Sequence, residues 1–89
     1  MNNNNMKEIV KKIKKNLQKK FFTKKVYISE TLENLMIIVV SNYFENMSLL
    51  ERQKNIYKVI TGYITDKTIH SVSIKTYTLN EWKKQKNIE

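Results

Sequence analysis

The 89-residue sequence has no cysteine and no proline, and it has one glycine (Gly62), one histidine (His70) and one arginine (Arg52). Without cysteine there is no disulfide framework, no Cys-rich zinc site and no thiol nucleophile. A single glycine rules out both a G-x-G-x-x-G turn and a P-loop, and no Pro/Gly-rich linker divides the chain. No apolar run reaches membrane-spanning length, and no apolar signal core follows the N-terminus. These absences predict a soluble cytoplasmic protein with no membrane partner. The alternatives are nuclear or mitochondrial, the latter because the lysine-rich amphipathic start faintly resembles a presequence. The length predicts one domain with a modest core, monomeric when isolated.

Acidic residues are also scarce, at eight against 17 basic ones, for a net charge of +9. The excess sits at one end. Residues 1–25 carry nine lysines against Glu8, while the remainder is nearly neutral. Such a concentrated potential attracts phosphate backbone, anionic lipid or an acidic partner, although lysines on a polar helical face often serve only to solvate it.

Residues 1–5 hold an asparagine run with nothing to bury, which predicts disorder; residues 6–85 form the domain and 86–89 a tail. Met6, Ile9, Val10, Ile13 and Leu17 repeat at helical spacing and predict a helix over 6–19. The stretches "KKVYISE" and "LMIIVVS" predict strands near 25–29 and 35–41, joined as a hairpin. Ser48 and Glu51 form a capping box before Leu49, Gln53, Ile56, Tyr57, Ile60 and Ile64, so a second helix is expected over 49–65. A third strand follows over 69–76. A second capping box, Thr78 with Glu81, opens a short last helix carrying Trp82. The expected architecture is α+β, in the order α-β-β-α-β-α: a three-stranded mixed sheet with helices packed on one face. Phe21, Phe22, Phe44, Tyr57 and Trp82 are assigned to structure.

Few residues carry chemistry. His70 shares strand parity with Val72 and Ile74, so it is expected to face the helix-covered side, as a packing residue or as a ligand. A Ser–His–Asp arrangement would need His70 and Asp66, but there is no nucleophile elbow and there are no oxyanion donors. Glu30, Glu33 and Glu45 have no spacing of a paired acid and base. No enzyme is expected.

The stretches "IIVVSNYFENMSLLERQKNIY" and "TIHSVSIKTYTLNEW" together resemble the BolA family, over about Met6 to Trp82. The resemblance rests on Val40-Ser41 with Phe44, on Ser48, Arg52 and Tyr57, on Ile69-His70, and on Thr76-Tyr77-Thr78 with Glu81-Trp82. It implies a fold similar to class II KH domains. It also implies an adaptor that binds a monothiol glutaredoxin and takes part in iron–sulfur trafficking or redox regulation, sharing a [2Fe–2S] cluster with the glutaredoxin and glutathione. None would be bound by the isolated chain. Such a cluster takes thiolate or imidazole ligands. In this family picture His70 is the metal ligand, while a second ligand from the hairpin loop falls where this chain has Asn34. With only Glu30, Glu33 or Asn34 there, a shared cluster should be labile.

Asn34, Arg52, Gln53 and Lys54 are the expected partner contacts, forming one surface with His70. Asn46 stands where many relatives have glycine, and it suits a left-handed turn. The alternative is a nucleic-acid-binding, transcription-regulatory protein acting through Lys11, Lys12, Lys15, Arg52 and Lys54. The missing glycines deny it a GxxG clamp.

Overall fold

The computed structural model describes residues 2–31, 34–64 and 71–87. Helix α1 (Asn2–Lys20) is followed by strands β1 (Val26–Glu30) and β2 (Asn34–Val40), a 3₁₀ turn over Asn42–Phe44, helix α2 (Leu49–Ile64), strand β3 (Ser71–Tyr77) and helix α3 (Leu79–Asn87). The α+β order expected from the sequence is the observed one. Helix α1 starts earlier than the apolar repeat indicates, at Asn2, and so takes in the asparagines expected to be disordered. Once a helix is nucleated, each added residue gains a backbone hydrogen bond, which carries it past its apolar face.

Both capping boxes form. Ser48 N donates to Glu51 Oε1 at 2.9 Å and Glu51 N to Ser48 Oγ at 3.1 Å, which fixes the start of α2. Thr78 N donates to Glu81 Oε1 at 2.8 Å and Glu81 N to Thr78 Oγ1 at 3.2 Å, which fixes the start of α3. Asn46 adopts φ 65, the left-handed conformation its residue type tolerates, in the turn before α2.

The sheet order is β1-β2-β3. β1 pairs antiparallel with β2, from Val26↔Val39 to Glu30↔Leu35, and β3 pairs parallel with β2, from Asn34↔Ser71 to Val40↔Tyr77. A parallel pair needs a crossover, and α2 supplies it, running back along the sheet from the end of β2 to the start of β3. The core lies between α1, α2 and one sheet face. Ile13 and Leu17 meet Ile56 and Ile60 over Val26, Leu35, Ile37 and Val39, and Phe21 and Phe44 close one end. Burying each such side chain contributes about 1.5–3 kcal/mol.

Part of the other face is covered, while Ser29, Ser73 and Lys75 on it stay exposed. Tyr27 pairs with Ile38, and Tyr77 occupies the alternate parity of β3, so both project away from the core. Trp82 of α3 stacks on Tyr27 at 5.9 Å between centroids, with the planes 18° apart, and packs on Tyr77 at 5.2 Å. The two long helices share one face as expected, whereas α3 anchors on the opposite one. Thr78 alone separates β3 from α3, and the outward Tyr77 gives Trp82 its nearest apolar support. β2 is thus covered on both sides, which accounts for its unbroken apolar run.

Helix α1 ends in a Schellman turn. Thr23 N donates to Gln18 O at 3.1 Å and Phe21 N to Leu17 O at 3.0 Å, while Phe22, at φ 52, occupies the position where glycine is usual. The turn is tied to the sheet by Ser41 Oγ donating to Phe21 O (2.6 Å) and Thr23 Oγ1 donating to Val40 O (2.7 Å). Of the two adjacent phenylalanines, Phe21 is buried and Phe22 is 84% exposed. Phe22 is therefore not the packing residue expected from the sequence. A left-handed L-residue costs about 1–2 kcal/mol, and an exposed ring recovers little of it. Phe22→Asn should accordingly leave the fold intact and raise stability by about 0.5–1 kcal/mol, read as an increase in thermal midpoint. A decrease would show that the exposed ring supports the fold.

Candidate functional site

The parallel register sets the geometry of the candidate site. Asn34 opens β2 and its Cα partner Ser71 opens β3, so the hairpin loop and the entry to β3 meet at one end of the sheet. Ser71 Oγ donates to Asn34 Oδ1 at 2.8 Å, and Thr31 N donates to Asn34 O at 2.9 Å. The Asn34 amide oxygen already accepts a hydrogen bond, so this half-buried side chain is a positioned group in the loop mouth. His70 lies outside the described residues, as do Glu33 and Asp66; the covalent neighbour of His70 is Ser71, the residue opposite Asn34.

Arg52 stands elsewhere. It is only 5% exposed. Its Nη1 donates to Glu81 Oε1 at 2.8 Å and its Nη2 to Glu81 Oε2 at 3.2 Å, a forked pair, while Nε donates to Met47 O at 3.1 Å. The guanidinium lies 5.7 Å from the centroid of the Phe44 ring. All its groups are directed inward, joining the start of α2, the turn before it and the first turn of α3. The sequence-based expectation of Arg52 as a surface charge for a partner or for phosphate is corrected by this geometry: burial and Glu81 take its charge.

α2 starts at the far end of β2. Seven-residue strands separate that end from the Asn34–Ser71 edge by about 20 Å. The single surface expected to unite Asn34 with Arg52, Gln53 and Lys54 therefore divides in two. Gln53 and Lys54 are exposed on the first turns of α2. Lys11, Lys12 and Lys15 are exposed on α1, on the side away from the buried Ile13 and Leu17.

Two side-chain partnerships were not evident from the sequence. Glu81 read only as a capping residue, although the same carboxylate also binds Arg52. Ser71 carried no signal beyond strand alternation. Among the described residues, no group of three or more His, Cys, Asp or Glu could hold a metal ion.

The Glu81 carboxyl is held below the usual carboxylate range, first by the Arg52 hydrogen bonds and then by the Thr78 N–H. A carboxylate depressed in this way stabilises the folded state above its ordinary pKa, and the contribution is lost as pH falls through the lowered value. Thermal midpoints of the native protein should thus fall more steeply on acidification through the carboxylate range than those of Glu81→Gln, with the two curves converging at low pH. Parallel curves would contradict the pairing. The Glu81 side chain is 46% exposed, so the two partners are not equivalent. Removing Glu81 strands a buried guanidinium, whereas removing Arg52 leaves a carboxylate that water can reach. Glu81→Ala should cost about 2–3 kcal/mol and Arg52→Met about 1 kcal/mol, measured by denaturant unfolding.

The comparisons with known proteins bear on the family and the fold. The family model described as BolA-like protein matches residues 14–81. A protein of Buchnera aphidicola subsp. Baizongia pistaciae is 41% identical over 75 residues, covering 84% of this chain and 95% of the relative. The acid stress protein IbaG of Escherichia coli strain K12 is 35% identical over 63 residues, covering 71% of this chain and 75% of IbaG. Among solved structures, BolA1 from Arabidopsis thaliana superposes with a TM-score of 0.72 at 22% identity, covering 82% of this chain and 94% of its own. The BolA domain of SufE1 from Arabidopsis thaliana gives 0.68 at 21% identity, covering 78% and 89%. The structural likenesses speak to fold, and the sequence matches carry the kinship: the chain belongs to the BolA-like protein family.

Proposed function

We propose that the protein is a non-enzymatic adaptor that binds a monothiol glutaredoxin through the edge formed by the β1–β2 loop and the start of β3. In this reading it contributes His70 to a [2Fe–2S] cluster held mainly by the glutaredoxin and its glutathione. The observation that carries the reading is the Asn34↔Ser71 pairing. It brings the loop residue beside the chain neighbour of His70, and these are the two places from which the family resemblance draws ligands. Family membership and the likeness to a BolA domain within SufE1 support it.

The donor set limits what the chain does alone. It has no thiolate and one imidazole, and Asn34 offers an amide oxygen that already accepts from Ser71. Soft iron–sulfur clusters are poorly served by such oxygen donors. The residues do not fit a resident cluster; they fit one imidazole donor completing a site whose sulfur ligands come from the partner. When bound, the cluster would supply electron transfer or be passed on as cargo, while this chain would orient the shared edge and limit access of water.

The nucleic-acid reading is not carried forward. It loses Arg52 to Glu81, and Gly62 as the sole glycine leaves no clamp.

Mixing the protein with a monothiol glutaredoxin and glutathione under anaerobic conditions, with size-exclusion chromatography and visible absorption recorded together, tests the proposal. A complex is expected with or without cluster. Its cluster should be lost to a chelator more slowly in Asn34→His, and His70→Ala should form the complex but fail to retain the mixed-cluster spectrum. Absence of any complex would overturn the adaptor reading, and unchanged loss rates in Asn34→His would overturn the role given to the loop.

A further inference from the structure

Exposed apolar side chains gather at the end of the sheet opposite the Asn34–Ser71 edge. Phe22, Tyr43 and Leu79 stand out of the surface there. With Lys24 and Lys25 they line an open groove of about 530 Å³. This groove shares Phe22, Thr23 and Lys24 with a second, which includes Lys15 and Lys19; the second shares Lys15 and Gln18 with a third, lined by Lys11, Lys12 and Lys14. Among the described residues, no carboxylate lines any of the three. Nearby, the Glu81 carboxylate is taken by Arg52, and Glu45, two residues beyond Tyr43, is exposed.

The conformation of Phe22 is the second observation. Its left-handed backbone, fixed by the Schellman turn and by the bonds from Ser41 and Thr23, holds an aromatic ring outward with little packing in return. Strain kept for an exposed ring points to use of that ring.

We propose that this end of the molecule docks on an anionic membrane surface. Phe22, Tyr43 and Leu79 enter the headgroup boundary, while Lys19, Lys20, Lys24 and Lys25 meet lipid phosphates and carboxylates. Aromatic side chains favour that boundary, and each lysine near an anionic leaflet adds attraction. An apolar anchor and a basic patch together supply the two signals that stable but reversible attachment needs. The apolar face of α1 is already in the core, at Ile13 and Leu17, so the helix does not insert and the protein docks as a rigid body.

A nucleic-acid strand fits less well. The Phe22 and Tyr43 rings are 6.4 Å apart at 31°, already in contact as one wedge with no slot for a base between them, and Leu79 is no stacking partner. The sequence-based expectation of no membrane partner rested on the absence of a membrane-spanning or signal-like apolar run. No described helix is long and apolar enough to cross a membrane, and surface docking requires none.

The test is co-sedimentation of the full chain with phosphatidylcholine vesicles, with and without phosphatidylserine, at increasing salt. Binding is expected only to the anionic vesicles. Phe22→Asn should weaken it about tenfold while keeping or raising the thermal midpoint. Replacing both Lys24 and Lys25 by glutamine should weaken it on the order of twentyfold. Equal binding to both vesicle types, no binding, or undiminished binding of Phe22→Asn would overturn the proposal. So would tighter capture of the chain by a single-stranded oligonucleotide than by anionic vesicles.

Discussion

Strand β2 is hydrogen-bonded on both edges, antiparallel to β1 and parallel to β3, and the rest of the molecule is arranged around that choice. The antiparallel edge needs only a short loop. The parallel edge needs a crossover helix, so α2 must traverse the molecule and return the chain to the end at which β2 began. One consequence is thermodynamic, since a strand with α1 and α2 over one face and Trp82 over the other can be apolar at nearly every position. The other is functional. The hairpin loop and the entry to β3, more than 30 residues apart in sequence, are held side by side by main-chain bonds and need no contacts of their own to bring them together.

The opposite end is closed by a single buried charge. Arg52 has little exposure, and its forked pair with Glu81, its bond to Met47 O and its approach to Phe44 join the start of α2 to α3. Two further bonds hold this junction: Ser41 N donates to Tyr77 O at 2.8 Å, and Leu79 N, at the start of α3, donates to the side-chain Oδ1 of Asn42 at 3.1 Å. A positive charge held inside this end and a lysine surface held outside it are separate devices. The first sets the docking of α3, and the second sets the field that an approaching partner meets.

Much of the fold was legible because its punctuation is local. Two capping boxes announced both later helices, since each acts over three or four residues through hydrogen bonds that the sequence spells directly, while the left-handed turn at Asn46 followed from the family resemblance and the residue's tolerance of that backbone. What stayed hidden depends on the third dimension. The short last helix was expected on the same sheet face as the others, and nothing local says that Trp82 will instead lie against Tyr27 and Tyr77 on the opposite one. Arg52 read as a surface cation because its partner is 29 positions away. The Phe21-Phe22 pair read as core, because no residue type flags a Schellman turn built without glycine, and that turn sends one ring inward and the other out. The family resemblance put Asn34 and His70 on one surface, and the strand register gives a physical basis on the described side by pairing Asn34 with Ser71. The expected union with α2 failed because the crossover carries the start of that helix to the far end.

In the proposed function a sulfur-poor edge would lend one imidazole, that of His70, to a partner's cluster. The most direct measurement is pulsed electron paramagnetic resonance on the reduced cluster of the mixed complex, with this chain alone carrying ¹⁵N-labelled histidine. A single strongly coupled ¹⁵N nucleus is predicted, because His70 is the only histidine. A spectrum without such coupling, from a complex that nevertheless holds its cluster, would contradict the assignment.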